Sequence, residues 1–451
     1  MANRKFDVLV VGGGPAGIIT AVTSKTYYPE KSVAILRREK KVLIPCGIPY
    51  VLSTLDSPEK DIIPDEPILK KGIEIIVDSV KKVDIKEKVA FTEAGDKIKF
   101  EKVVFATGST PTEPSWLEGR DLENVFYIKK NIDYLRDLKS KLSSFKNIVI
   151  VGGGFIGVEV ADELRKYDDK KITIVEKLPH ILYLAFDEEC CIKAEEELKK
   201  YGVDLVTGIG VKRIEGKGKV EKVVLENDDT IDADAVILSL GYKPNVKLAA
   251  EAEVRLGASG AIWVDEYLRT DYDHVFAVGD CVERKDFITR RISKIMLAST
   301  ATSEARIAGA NLFKLQVVKT FTGTIGIFST KIGNNAFGSA GVTEAMAREL
   351  GFDIVIGEAE SVDRHPGSLP GAHKQRIKLI ASKKSEIIMG AQVFGGDSTG
   401  ELINFLGFAI QQKTTTGGLL ISQIGTHPLL TSAPTTYPII KAAENLISKI
   451  K

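Results

Sequence analysis

Phe6-Asp7-Val8-Leu9-Val10-Val11-Gly12-Gly13-Gly14-Pro15-Ala16-Gly17 decides the fold. Phe6–Val11 reads as a strand buried on both faces. Glycines follow at once, and a helical pattern begins at Ile18. This is G-x-G-x-x-G in the setting that gives the pattern meaning: strand, glycines, helix. Gly12 permits the tight turn, Gly14 lets a pyrophosphate approach the backbone, and Gly17 allows close helix–sheet contact, with Pro15 and Ala16 between them. The helix N-terminus then turns free N–H groups and a positive dipole end toward phosphate. The expected ligand is a dinucleotide; the bland alternative is a glycine-rich turn.

The pattern recurs. Residues 8–17, Val-Leu-Val-Val-Gly-Gly-Gly-Pro-Ala-Gly, match residues 148–157, Ile-Val-Ile-Val-Gly-Gly-Gly-Phe-Ile-Gly. Gly152, Gly154 and Gly157 repeat the glycine positions, Phe155 and Ile156 replace Pro15 and Ala16, and the following helix carries Glu159. Two such modules in one chain are far more specific than either alone. They differ where their second strands end. Lys171–Val175 leads to Glu176, whose carboxylate suits the 2′-hydroxyl of NADH and repels the 2′-phosphate of NADPH. Lys177 beside it softens that choice. In the first module Ser32–Leu36 leads instead to Arg37, Arg38 and then Glu39. Either Glu39 reaches the ribose, or Arg37 packs on adenine or phosphate, or the arginines are a solvated pair.

Further segments complete each module. Val103–Phe105 is a buried strand ending in Ala106-Thr107-Gly108, and Pro111 and Pro114 break the chain soon after. Asp234–Leu240 ends similarly in Gly241-Tyr242-Lys243-Pro244-Asn245. Val275–Val278 ends in Gly279-Asp280 ahead of helical Ala298–Phe313, where two readings are equal: Asp280 accepts a hydrogen bond from a polyol, or the segment is a simple strand-end turn. Beyond residue 320 the pattern becomes α+β, with strands at Thr322–Phe328, Phe352–Glu360, Ile377–Ala381 and Ile387–Phe394. Helices are expected at Thr343–Leu350, Gly400–Gln412 and Thr436–Ser448. The expected class is α/β: two Rossmann-like dinucleotide-binding domains and a separate C-terminal α+β domain with no nucleotide motif. Residues 1–115 and 242–320 form the first domain, 116–241 the second and 321–451 the third. A chain of 451 residues exceeds one ordinary core, which agrees with this division.

Composition narrows the partners. Lys+Arg 62 against Asp+Glu 61 leaves a net charge of +1, with no basic footprint for nucleic acid and no polybasic membrane patch. No apolar run is long enough to span a bilayer. The glycines beginning at Gly12 leave no room for a signal peptide. Four cysteines, Cys46, Cys190, Cys191 and Cys281, have no metal-ligand spacing and form no disulfide framework in a chain this long. A reducing, cytoplasmic location is expected, with no metal site.

Cys46 stands in Val-Leu-Ile-Pro-Cys-Gly-Ile-Pro-Tyr, residues 42–50. The ordinary thiol pKa of about 8.5 falls at a helix N-terminus or near cations. Pro49 suits the first turn of a helix beginning near Cys46, and Lys40 and Lys41 are close in sequence. On residue types alone, a reactive thiolate and a buried inert cysteine are equal readings.

The two fingerprints, Ala106-Thr107-Gly108, Gly241–Asn245 and Thr270…Ala277-Val278-Gly279-Asp280 together resemble the FAD-dependent pyridine nucleotide–disulfide oxidoreductases over essentially the whole chain. The resemblance implies FAD on the first fingerprint and at Asp280, and NADH (or NADPH) on the second. It implies a homodimer through the C-terminal domain, each partner contributing to the other's site. Cys46-Gly47-Ile48-Pro49-Tyr50 is similar to the single-cysteine branch: coenzyme A-disulfide reductases, NADH oxidases and peroxidases, and sulfur or polysulfide reductases. Electrons would then pass from NADH through FAD to Cys46, which reduces a low-molecular-weight disulfide, coenzyme A disulfide, polysulfide or sulfur. Coenzyme A would be a substrate or a Cys46 adduct. The alternatives are an oxidase or peroxidase working through a cysteine sulfenic acid, and a reductase of a small redox protein. Leu43-Ile44-Pro45 departs from the Ser and Asn usual before the cysteine in coenzyme A-disulfide reductases. His427, before Pro428, is the acid/base candidate that would reach the partner's site. Cys190, Cys191 and Cys281 are expected to be structural.

Overall fold

The computed structural model describes residues 3–450. Strand Asn3–Val11 is the centre of the first sheet, with Val33–Arg37 and then Ile73–Val77 on one side and Lys97–Phe105 on the other, all parallel. Val8, Leu9 and Val10 are fully buried, as a strand covered on both faces requires. Lys97–Phe105 divides its free edge. Its first half pairs with the antiparallel meander Val80–Asp84 and Val89–Thr92, and its second half with the parallel strand Val275–Ala277. The helix after the glycines starts at Pro15, earlier than the pattern from Ile18 indicates, because proline is preorganised for the first helical position.

A second parallel sheet has the order Asp204–Thr207, Lys171–Glu176, Asn147–Val151, Ala235–Leu238, Val125–Tyr127. Helix Ile132–Leu142 covers it, with Ile132, Leu135, Leu138 and Leu142 buried and the Asn131 side chain capping Tyr134 N at 2.9 Å. The chain crosses between the two sheets twice. Both crossings lie in one antiparallel ribbon, Ser109–Pro111 against Tyr242–Pro244, so the glycine ends of both modules are held side by side.

The C-terminal sheet is antiparallel, in the order Ile327–Ile332, Asn335–Gly341, Ile388–Gly395, Lys374–Ser382, Ile354–Val362. Helices Thr399–Gln411 and Pro438–Ile450 pack on it. Two expectations change here. Thr322–Phe328 is not a strand over most of its length: Phe321 N and Thr324 N bond to Glu266 O and Lys285 O, and the strand begins at Ile327. Asn335–Gly341 is a strand that composition conceals. Its Gly338 lies so close to helix Thr399–Gln411 that a Cβ would meet Ile403 Cβ at 2.9 Å.

A buried ionic cluster joins this sheet to the second module. Lys378, 6% exposed, reaches Asp187 at 3.0 Å, Glu189 at 2.7 Å and Glu344 at 2.7 Å. Asp187 also accepts bonds from Gln392 Nε2 at 2.6 Å and from Glu344 N and Ala345 N at 3.0 Å. Removing Lys378 leaves buried Asp187 and the half-buried Glu189 and Glu344 without the cation they share. Lys378→Met is expected to lower stability by about 3–5 kcal/mol, read as a lower guanidinium midpoint; an unchanged midpoint would contradict this account.

Candidate functional site

Both glycine fingerprints open on one cleft of about 1860 Å³. Close backbone approach builds its floor. A Cβ at Gly17 would lie 2.0 Å from Gly12 O, and one at Gly157 would lie 2.0 Å from Gly152 O. Gly12 has φ +121° and sits so near Ala106 that a Cβ would be 2.1 Å from its carbonyl oxygen. Gly14 and Gly154 meet nothing within 4 Å and face open space. This is a backbone cradle at the N-terminus of a 13-residue helix, repeated at a 10-residue one, and it fits the pyrophosphate of a dinucleotide in each copy. Of the catalytic and cofactor-binding candidates named from the sequence, all but Gly17, Gly157, Gly279 and His427 line the cleft.

The middle glycines carry information the motif does not display. Gly13 gives room to the Arg37 stem, whose Cδ lies 2.5 Å from a built Cβ, and Gly153 gives room to Glu176, with Cβ at 3.1 Å. Glu176 is preorganised: its Oε2 accepts from Gly153 N at 2.6 Å and its Oε1 from Leu178 N at 2.7 Å. Lys177 turns away, donating to Glu226 at 2.8 Å. In the first module Arg37 is 4% exposed and donates to both carboxylate oxygens of Asp65, at 2.7 and 2.5 Å. The solvated reading therefore fails for Arg37 and holds for Arg38. Glu39 stands at the cleft wall, where Arg38 Nε and Asn131 Nδ2 each donate to it at 3.0 Å.

The Gly279-Asp280 turn is drawn to the first fingerprint by small residues. Gly279 has φ +80°, and its added Cβ would lie 2.9 Å from Ala16 Cβ. The buried Arg284–Glu304 pair, 3.3 Å apart, braces it: Glu304 accepts from Gly279 N at 2.8 Å while Arg284 donates to Gly279 O. Asp280 Oδ2 accepts from Ser109 Oγ at 2.7 Å, with Lys130 Nζ 3.5 Å away.

Cys46 is the second residue of a 3₁₀ helix, Pro45–Leu52, whose Ile48, Pro49, Val51 and Leu52 are buried. Pro45, and not Pro49, takes its first position. The second module clamps its far end. Tyr167 Oη donates to Leu52 O at 2.7 Å, and Lys139 Nζ to Val51 O at 2.9 Å and Leu55 O at 2.8 Å. Glu163 accepts from Thr54 N at 2.7 Å and Thr54 Oγ1 at 2.9 Å. The cysteine is thus carried by the first module and held in place by the second.

Cys46 itself is exposed to the cleft, yet the walls crowd the sulfur. Desolvation pushes its pKa up, Glu159 and Asp61 add to this, and Lys130 opposes it. The cation acting on the sulfur is therefore Lys130 rather than Lys40 or Lys41, and the expected depression of the thiol pKa is reversed. Glu159 lies on the second fingerprint helix and accepts from Thr330 Oγ1 of the C-terminal sheet at 3.0 Å. Burial raises it to about 7. Beside it Phe155 stacks on Phe328 with centroids 5.0 Å apart. Lys130, Thr330 and Phe328 belong to no local motif, and only long-range packing brings them here.

His427 is exposed on the C-terminal domain, its N–H donating to Thr431 Oγ1 at 3.0 Å, and it does not line the cleft of its own chain. Cys191 and Cys281 are buried, and Cys190 is partly buried with its thiol raised to about 12 by desolvation.

Two outcomes are expected. Replacing Glu176 with Ala removes the acid that would face a 2′-phosphate, so the NADPH/NADH ratio of kcat/KM should rise about tenfold; an unchanged ratio would place discrimination elsewhere. For Glu159, the folded chain retains a proton between pH about 4.3 and 7 that the unfolded chain releases, so stability falls as pH rises through that window and stays lowered above it. Glu159→Gln should therefore gain Tm over the parent by roughly 2–4 °C more at pH 8 than at pH 5. Parallel Tm–pH curves would refute this.

The family described as pyridine nucleotide-disulphide oxidoreductase matches residues 6–305, and its dimerisation domain matches residues 327–438. A Pyrococcus horikoshii protein named NAD(P)H coenzyme A polysulfide/persulfide reductase is 33% identical over 402 residues, 88% of this chain and 88% of its own. An NADH oxidase of Methanocaldococcus jannaschii is 29% identical over 453 residues, 98% and 99% of the two chains. The solved NAD-dependent persulfide reductase from A. fulgidus superposes with a TM-score of 0.88 at 30% identity, covering 99% of this chain and 83% of that one. With two fingerprints on one cleft and a cysteine between them, the chain belongs to the pyridine nucleotide-disulphide oxidoreductase family, as an FAD-dependent NAD(P)H oxidoreductase of its polysulfide reductase and NADH oxidase group.

Proposed function

We propose that the chain uses NADH to reduce a sulfur–sulfur bond, a polysulfide or persulfide, through Cys46. One observation carries this reading: Cys46 alone among the four cysteines lines the cleft that both fingerprints share. The P. horikoshii and A. fulgidus relatives, named for polysulfide and persulfide reduction, support it. Val42, Leu43 and Pro45 on the cleft wall give the sulfur an apolar flank, which suits a short sulfur chain. Coenzyme A, named in the P. horikoshii relative, is the thiol proposed to accompany that chain as substrate or as a Cys46 adduct.

In this reading the first fingerprint and Thr107–Gly108 would hold FAD, with Glu39 available to its ribose in place of a strand-end acid and Asp280 to its polyol. The second fingerprint and Glu176 hold NADH. Bound flavin supplies two-electron relay between nicotinamide and sulfur. The thiolate of Cys46 attacks the outer sulfur of the substrate, forming a mixed sulfur–sulfur bond and releasing the remaining chain as an anion. Two electrons from NADH then cleave that bond and restore the thiolate, with the released sulfur leaving as sulfide or thiol after taking a proton. Lys130 faces the anionic sulfur, and the stacked Phe155 and Phe328 would keep water from the part of the cleft they line. The proposed domains are residues 1–115 with 242–320, 116–241 and 321–451.

A homodimer is proposed on the matched dimerisation domain together with exposed Phe405, Phe408, Ile421, Leu429 and Leu430. His427, in the same segment as Leu429, would then face the partner's cleft. The free cysteines suit a reducing cytoplasm. A second reading, NADH oxidation by O2 through a Cys46 sulfenic acid, is favoured by the full-length match to the M. jannaschii oxidase.

Cys46→Ser is expected to lower anaerobic, NADH-dependent sulfide release from polysulfide by roughly a hundredfold or more, while NADH still bleaches the flavin. Retained sulfide release would end the Cys46 reading. Faster O2 consumption than sulfide release in the parent enzyme would transfer the assignment to the oxidase.

A further inference from the structure

Behind the cysteine turn lies a carboxyl that the proposed reaction leaves unused. Asp61 closes the short turn Pro58–Asp61 and is 3% exposed. Its backbone is tied to the cysteine segment: Ile44 N donates to Asp61 O at 2.8 Å, and Leu43 bridges to Ile62. Its side chain faces Gly47. A Cβ on Gly47 would lie 1.9 Å from Asp61 Oδ1 and 2.8 Å from Cγ. Gly47 does not have a positive φ, so glycine is needed there for space and not for backbone conformation. The residue directly after the redox cysteine is small because this carboxyl occupies the room a side chain would take.

The carboxyl is not neutralised. Asp61 Oδ2 is buried without a hydrogen-bond partner among the described residues. The charges on the surrounding elements are committed elsewhere. On its own turn Lys60 pairs with Asp56, and Glu59 pairs with Arg136 of helix Ile132–Leu142. Lys139 of that helix donates to the Val51 and Leu55 carbonyls. Burying an orphan carboxyl costs stability, and here burial raises Asp61 to about 6. The group lies within electrostatic range of Cys46, as do Glu159, Asp280 and Lys130. Lys130, the cation of that set, is shared with Asp280 and Ser109.

We propose that Asp61 is a positioning residue for the redox centre: its carboxyl, packed on Gly47, governs how readily Cys46 gives up its proton. This rests on the reading of Cys46 as the redox sulfur. A carboxylate packed on Gly47, the residue next to Cys46, opposes a negative charge on that sulfur. When two electrons from NADH cleave the Cys46 mixed disulfide, one negative charge appears on Cys46 and one on the departing sulfur. With the Asp61 carboxylate nearby, the new Cys46 thiolate is the stronger base of the two and takes up a proton from solvent, so the pair carries one negative charge rather than two. Asp61 thereby ties reduction of the sulfur to proton uptake without touching the substrate.

The test is the pH profile of iodoacetamide alkylation at Cys46, read by peptide mass in the NADH-reduced, flavin-loaded enzyme. Asp61→Asn and Asp61→Ser are compared with the parent. Each should move the inflection to lower pH by about one unit, raising the alkylation rate at pH 7 about tenfold. Coincident profiles in either variant that keeps parental flavin content and Tm overturn the proposal. Two variants guard against one failing to fold. Failure of the underlying reading looks different: Cys46→Ser would retain sulfide release while the Asp61-dependent alkylation shift in the parent background persisted.

Discussion

The structure depends on a contact that only glycine permits. At Gly17 and again at Gly157 a Cβ would collide with the carbonyl oxygen that begins the turn, at 2.0 Å in each case. Without side chains there, each helix starts against its strand, and its free N–H groups point over the strand ends. The cleft follows from doing this twice and joining the results with one ribbon, Ser109–Pro111 against Tyr242–Pro244. Gly279 applies the same device a third time against Ala16, which brings Asp280 to the first cradle. Bulk at any of these positions would separate elements whose proximity is the site.

Within that frame the cysteine is placed by division of labour. Its helix grows from the first module, but Tyr167, Lys139 and Glu163 of the second hold its far end. The C-terminal sheet closes the other side through Phe328 and Thr330. The sulfur is left open to the cleft and surrounded by acids, with Lys130 opposing them. Such an arrangement does not store a free thiolate. It holds the sulfur toward its protonated form, since burial and the neighbouring carboxylates both oppose negative charge there.

Legibility followed contact range. Gly12 and Gly17, or Gly152 and Gly157, touch across five residues, so their meaning survives in a short motif. Glu176 bonds to Gly153 N through adjoining segments and was readable as a strand-end acid. Arg37 was ambiguous because its partner, Asp65, lies in a different part of the chain. The cations near Cys46 were misread for the same reason: Lys40 and Lys41 are neighbours in sequence, whereas Lys130 is a neighbour in space. Asn335–Gly341 escaped as a strand because its glycine serves a crossing helix rather than strand propensity.

By itself, then, the amino-acid order determined two dinucleotide cradles, a strand-end acid in the second, a lone cysteine beside the first, and the class of chemistry these imply. These are local backbone demands, written in glycine spacing and in alternation of strand and helix. Tertiary structure alone decided the electrostatics of the sulfur: which cation faces it, that Glu159 is buried beside it, and that Asp61 stands behind Gly47. The reason is physical. Backbone geometry is set by residues a few positions apart, whereas desolvation and charge pairing act between any groups that packing brings together.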